Sequence, residues 1–118
     1  MNFEDLKGMV LTQVDVTYDE IVLHTADRKF KLYHPQDCCE SVYINDVVGE
    51  WSDLIGNPLL VAEESSSDVN PEGVTMEYQE VFEWTFYKFA TIKGSVDIRW
   101  YGESNGYYST SVHLEEVK

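Results

Sequence analysis

The sequence predicts a mainly β fold, a single antiparallel sheet domain built of β-meanders with one or two short helices. Three observations carry this. Apolar residues recur with a period of two, as in Val14 and Val16, Ile21 and Leu23, and Phe30 and Leu32, which marks strands with one buried face. Turn formers punctuate the runs at Ala26-Asp27, Lys93-Gly94 and Ser104-Asn105-Gly106. The longest strand candidate, Phe82 to Ile92, carries aromatics at both parities, as a strand covered on both faces does, and this places it centrally. With 118 residues the chain fits one domain, 1–118, around one core.

Taken in order, Asn2 to Gly8 reads as one helical turn, with a cap-capable Asn, acids in the first turn and Gly to exit. A three-strand meander follows. Register is argued by parity, because a one-residue slip would expose every apolar side chain: Ile21 and Leu23 match Leu32 and Phe30. His24 then lies opposite Lys29 on the outer face, and His34 shares the inner face with Phe30 and Leu32. The two histidines sit about five residues apart along the ladder, roughly 16 Å at about 3.3 Å per residue, too far to chelate one ion.

Pro35 cannot donate to a ladder and biases His34 toward extended backbone, so a strand ends there. Ser41 to Ile44 is a short strand, Glu50 to Gly56 a brief helix closed by Gly56, and Leu59 to Ala62 a strand introduced by Pro58. From Glu63 to Tyr78 the composition shifts to Ser and acids, and residues 63–78 read as a flexible acidic loop. After the Phe82 strand, Val96, Ile98 and Trp100 are expected to form a hairpin with Val112 and Leu114. Pairing Ile98 with Val112 and Val96 with Leu114 suits a three-residue turn with Gly106 left-handed, and puts His113 opposite Asp97.

The net charge of −14 argues against nucleic acid and anionic membrane as direct partners, since phosphate recognition needs clustered Lys and Arg. Aromatic content of 14% is too high for a disordered acidic tail, so a folded domain carries the acidity. Every Lys and Arg lies at or before Lys31 or at or after Lys88. The acidic middle of the chain is either a solubilising surface or one that imitates a nucleic-acid backbone toward a basic protein. The partner-facing residues expected from it are Glu63, Glu64, Asp68 and Glu72, with Tyr107 and Tyr108 on the last hairpin.

The stretch Tyr33-His34-Pro35-Gln36-Asp37-Cys38-Cys39-Glu40 holds both cysteines. Nothing at the start reads as a signal peptide and no apolar run could span a bilayer, so the expectation is reduced thiols, and adjacent cysteines do not close an ordinary disulfide. Two interpretations are open. His34, Cys38 and Cys39 could ligate Zn2+ with a fourth ligand unassigned, or they could be two small buried hydrophobes and a hydrogen-bonded histidine. No nucleophile elbow, oxyanion-hole pattern or orienting partner accompanies the Cys-His pair, and a non-enzymatic protein is expected.

The octapeptide, with Asp53-Leu54-Ile55-Gly56, Ala62-Glu63-Glu64, Ala90-Thr91-Ile92-Lys93-Gly94, Arg99-Trp100-Tyr101-Gly102 and Ser104-Asn105-Gly106-Tyr107-Tyr108-Ser109, resembles a group of small acidic proteins of unknown function encoded by phages and prophages of Gram-positive bacteria. The resemblance runs over nearly the whole chain. It includes similarity to a metal-containing inhibitor of a type II CRISPR effector nuclease. It therefore implies an anti-CRISPR role in the cytoplasm of the infected bacterial host, that nuclease as partner, and structural Zn2+. A phage structural or assembly protein, or another anti-defence binding module, is the alternative. The group's H-x-Q-D-C-C-E motif falls on His34, Gln36, Asp37, Cys38, Cys39 and Glu40. Relatives often carry a cysteine at the stretch matching Val47-Val48-Gly49, where this chain has none.

Overall fold

The computed structural model describes residues 2–71, 73, 81–106 and 108–117. The chain opens with a 3-10 turn, Phe3–Leu6. Asp5 secures it by accepting the Asn2 amide at 2.9 Å. Phe3 and Leu6 are buried, and the Phe3 ring lies against Tyr87 and Phe89, with centroids 4.5 and 4.9 Å apart, so this turn closes one part of the core.

The meander forms as its alternation requires, with β1 (Gln13–Val16), β2 (Glu20–His24) and β3 (Lys29–Tyr33). Ile21 pairs with Leu32, Leu23 with Phe30 and His24 with Lys29, the register that burial of one face dictates. The chain then builds β4 (Ser41–Val48), a 3-10 turn Trp51–Leu54, β5 (Val61–Ser67), β6 (Val81–Thr91), β7 (Gly94–Ser104) and β8 (His113–Glu116). The fold is mainly β and antiparallel throughout its ladders.

The expected single sheet is two four-stranded sheets, ordered β1-β2-β3-β8 and β4-β7-β6-β5. Alternation shows that a strand has one apolar face but not which strands share a ladder. Ile21, Leu23, Phe30 and Leu32 of the first sheet join Val42, Phe89, Val96, Ile98 and Trp100 of the second in one hydrophobic cluster, so each sheet buries its apolar face on the other. β6 is interior to its sheet, as its two aromatic faces predict: Tyr87 and Phe89 enter the core, while Trp84 packs on the opposite face against Tyr101, with ring centroids 4.7 Å apart.

Two further expectations are corrected. β8 is not the hairpin partner of β7, because β4 and β6 occupy both edges of β7; β8 crosses to β3, placing Leu114 opposite Leu32 and His113 opposite Tyr33 rather than Asp97. Gly106 is left-handed as expected, with φ of 93°, but it starts a crossover instead of a hairpin. The acidic stretch is not loop from Glu63 onward: Glu63 and Glu64 belong to β5, opposite Lys88 and Tyr87. Cross-strand pairing to β6 overrides the weak strand propensity of the Glu-Glu-Ser-Ser-Ser run. Glu72 and 74–78 of the expected loop lie outside the described residues.

The returning crossover packs closely on β7. A Cβ at Gly102 would stand 2.7 Å from the Thr110 carbonyl oxygen and 2.8 Å from the Thr110 Cβ. Gly102→Ala is therefore expected to destabilise by about 1–3 kcal/mol, the usual range for overpacking, read as a lower urea midpoint with unchanged slope.

Candidate functional site

Two segments carry the chain between the sheets, residues 34–40 outward from β3 and 105–112 back toward β8, and His34 joins them. Its Nδ1 lies 2.7 Å from the Ser111 carbonyl oxygen and its Nε2 3.1 Å from Glu40 Oε2. The Glu40 side chain has no exposed surface. Such a carboxylate is costly unless its lone pairs are satisfied, and here they are. Gln36 Nε2 donates to Oε1 at 2.9 Å, the Cys38 amide donates to Oε1 at 2.9 Å, and the Asp37 amide lies 3.3 Å from both oxygens. Burial opposes its ionisation, but the Cys38 amide, His34 and the Asp37 amide outweigh it and hold the pKa down at about 2.

Both ring nitrogens of His34 are thus engaged within the protein, Nδ1 by the Ser111 carbonyl oxygen and Nε2 by Glu40. Cys38 and Cys39 are exposed, and their sulfur atoms are bonded to each other, against the expectation of reduced thiols. His34 is thus the hydrogen-bonded histidine of the second interpretation, while the cysteines are neither buried hydrophobes nor thiolates. The three residues are not gathered as a ligand set, and no group of three or more His, Cys, Asp and Glu suited to a metal occurs among the described residues.

The other candidate site is the outward face of β4-β7-β6-β5. Alternation turns Phe82, Trp84, Phe86 and Lys88 of β6 away from the core, opposite Glu103, Tyr101, Arg99 and Asp97 of β7. Phe82, Trp84, Tyr101 and Tyr43 form an aromatic cluster. The Arg99 guanidinium lies 5.2 Å from the Trp84 ring centre, and a register shift between Ile44 and Asp46 lets Asn45 Oδ1 accept Arg99 Nε at 2.9 Å. Next to the cluster is a cleft of about 550 Å³, lined in part by Asp46, Glu63, Glu64, Phe86, Tyr87 and Asp97.

Of the residues expected to face a partner, Glu63 and Glu64 are exposed on β5 and line this cleft. Asp68 is exposed just beyond β5, and Tyr108 is half-buried in the returning crossover. Glu72 and Tyr107 lie outside the described residues. Reasoning from sequence missed Asp46, Phe86, Tyr87 and Asp97. The double aromatic parity of β6 was the available signal, since it implies a second, outward aromatic surface.

The other sheet differs electrostatically. On its outward side Asp15 meets His24 at 2.7 Å and Lys31 sits 4.1 Å from the Tyr33 ring centre, while at the end of the ladder, beside Phe30, Arg28 reaches Glu116 through Nε at 2.7 Å and Nη2 at 3.1 Å. Among the described residues the ion pairs are those two and His34 with Glu40; none involves a carboxylate of the cleft.

The Glu40 contacts predict a pH dependence. A carboxylate whose pKa falls from 4.5 to about 2 on folding contributes stability that is complete above pH 4.5 and is lost as pH falls toward 2. Thermal melts between pH 6 and pH 2 are expected to show a shallower acid limb in Glu40→Gln than in the parent. Because both cysteines are exposed and a bridge between adjacent residues closes almost no loop, Cys38→Ser is expected to change unfolding free energy by under about 0.5 kcal/mol. A large loss, accompanied by zinc in metal analysis of the purified protein, would instead support the ligand set implied by the resemblance.

No helix among the described residues is long and apolar enough to cross a membrane. No curated protein and no solved structure matches the chain. Residues 4–114 match the family described as a domain of unknown function, DUF7448, and the chain belongs to that family.

Proposed function

We propose that this protein is a non-catalytic binding module whose outward β4-β7-β6-β5 face docks on a basic protein surface. The resemblance to phage-encoded proteins makes a type II CRISPR effector nuclease the partner and inhibition of its action on target DNA the outcome. The observation that carries the docking face is the division of charge between the two sheets. Asp15 and Glu116 of the first sheet are matched to His24 and Arg28, whereas Asp46, Glu63, Glu64 and Asp97 surround an open cleft beside half-buried aromatic rings. Unmatched surface charge steers encounter with an opposite charge, and partly buried aromatics supply lasting affinity.

The test mixes the purified protein with the guide-loaded nuclease and follows complex formation and target cleavage at two salt concentrations. A complex that weakens with salt and suppresses cleavage is expected. Reversing the charge of Glu63, Glu64 and Asp68 should lower the association rate by on the order of tenfold, with a smaller effect on dissociation. No complex at low salt and undiminished cleavage would remove the nuclease as partner. Copurification with virions would favour the structural or assembly alternative.

A further inference from the structure

We propose that Cys38 and Cys39 form a thiol–disulfide exchange site, which passes reversibly between a bridged and a two-thiol form and takes low-molecular-weight thiols that carry a positive charge or none. This goes beyond the protein partner proposed above and does not depend on it. The two sulfur atoms are bonded to each other across adjacent residues, and both residues are exposed. A structural bridge stabilises by closing a long loop in the unfolded chain, and one between neighbours closes almost none. The bond therefore does little for the fold and stands open to an attacking thiolate, the combination that marks labile disulfides rather than structural ones.

The turn that carries the cysteines is held without their sulfur atoms. The buried Glu40 carboxylate accepts the Cys38 amide at 2.9 Å and lies 3.3 Å from the Asp37 amide, while Gln36 Nε2 donates to the Glu40 carbonyl oxygen at 2.6 Å. Cutting the S–S bond leaves these contacts in place, so the two thiols stay neighbours and the bond re-forms as an intramolecular step. Cys39 lines a surface cleft with Ser41, Tyr43, Tyr101, Glu103 and Asn105, and no Lys or Arg lines it. On a chain of net charge −14 an attacking thiolate that bears a further negative group is repelled, and one that bears a positive group is not. In the exchange the entering thiolate attacks Cys39 Sγ from this cleft, the S–S bond breaks, and its electron pair leaves on Cys38 Sγ, which takes up a proton. A second thiolate attacks the entering sulfur of the mixed disulfide and releases Cys39 Sγ, which is protonated in turn. The pair gains two electrons and two protons, and two thiol molecules are oxidised to their disulfide.

The experiment uses the full chain, first equilibrated with oxidised dithiothreitol, then freed of it and kept with a chelator and without denaturant. Iodoacetamide labelling read by mass spectrometry is expected to find no modified cysteine in this form, two after treatment with cysteamine, and none once oxidised dithiothreitol is returned. The melting temperatures of the two forms are expected to differ by under about 4 °C, because the bond closes almost no loop. Cysteamine should reduce the pair on the order of tenfold faster than mercaptoethanesulfonate at low salt, with each rate normalised to the same thiol acting on a small uncharged disulfide, and the ratio should fall toward one as salt is raised. Labelling of the oxidised form, reduction that requires denaturant, failure of the bond to re-form, a larger fall in melting temperature on reduction, or equal normalised rates for the two thiols would each overturn the assignment.

Discussion

Glu40 is the buried charge on which the link between the two sheets depends. The chain must leave the first sheet after β3 and return to it before β8, and both passages run outside any ladder. Backbone groups in such passages need partners, and the Glu40 carboxylate collects the amides of Asp37 and Cys38 while His34 reaches across to the Ser111 carbonyl. Two connections far apart in sequence are thereby tied at one point. The same network explains why the octapeptide is so polar for a segment between two core strands: His34, Gln36 and Glu40 are a mutually satisfied set, and leaving any one unpaired would carry the full desolvation penalty.

The two sheets share one core but face outward with different chemistry. On the first, Asp15 pairs with His24 and Glu116 with Arg28. On the second, β6 places aromatic side chains on the solvent side as well as in the core. The surface beside them is acidic because β4 and β5 come from the part of the chain between Lys31 and Lys88, which has neither Lys nor Arg. A sheet with one face in the core and an aromatic, anionic opposite face is suited to a protein partner and poorly suited to phosphate.

The sequence by itself determined the strands and their inward faces. Period-two alternation placed Ile21, Leu23, Phe30 and Leu32 in the core and set the β2–β3 register, because that pairing is local and a slip would expose all four. The β6–β7 hairpin at Lys93-Gly94 and the central position of β6 were legible for the same reason. Tertiary structure decided which strands share a sheet. The parity that suits Leu114 to Val96 suits it equally to Leu32, and only occupation of both β7 edges by β4 and β6 sends β8 to the first sheet. It also decided the site. The polar character of His34, Gln36 and Glu40 was visible in the chain, but their joining through Ser111 spans a long sequence interval. The cleft brings Asp46, Phe86 and Asp97 together from three strands by lateral pairing, which no periodicity along a single strand encodes.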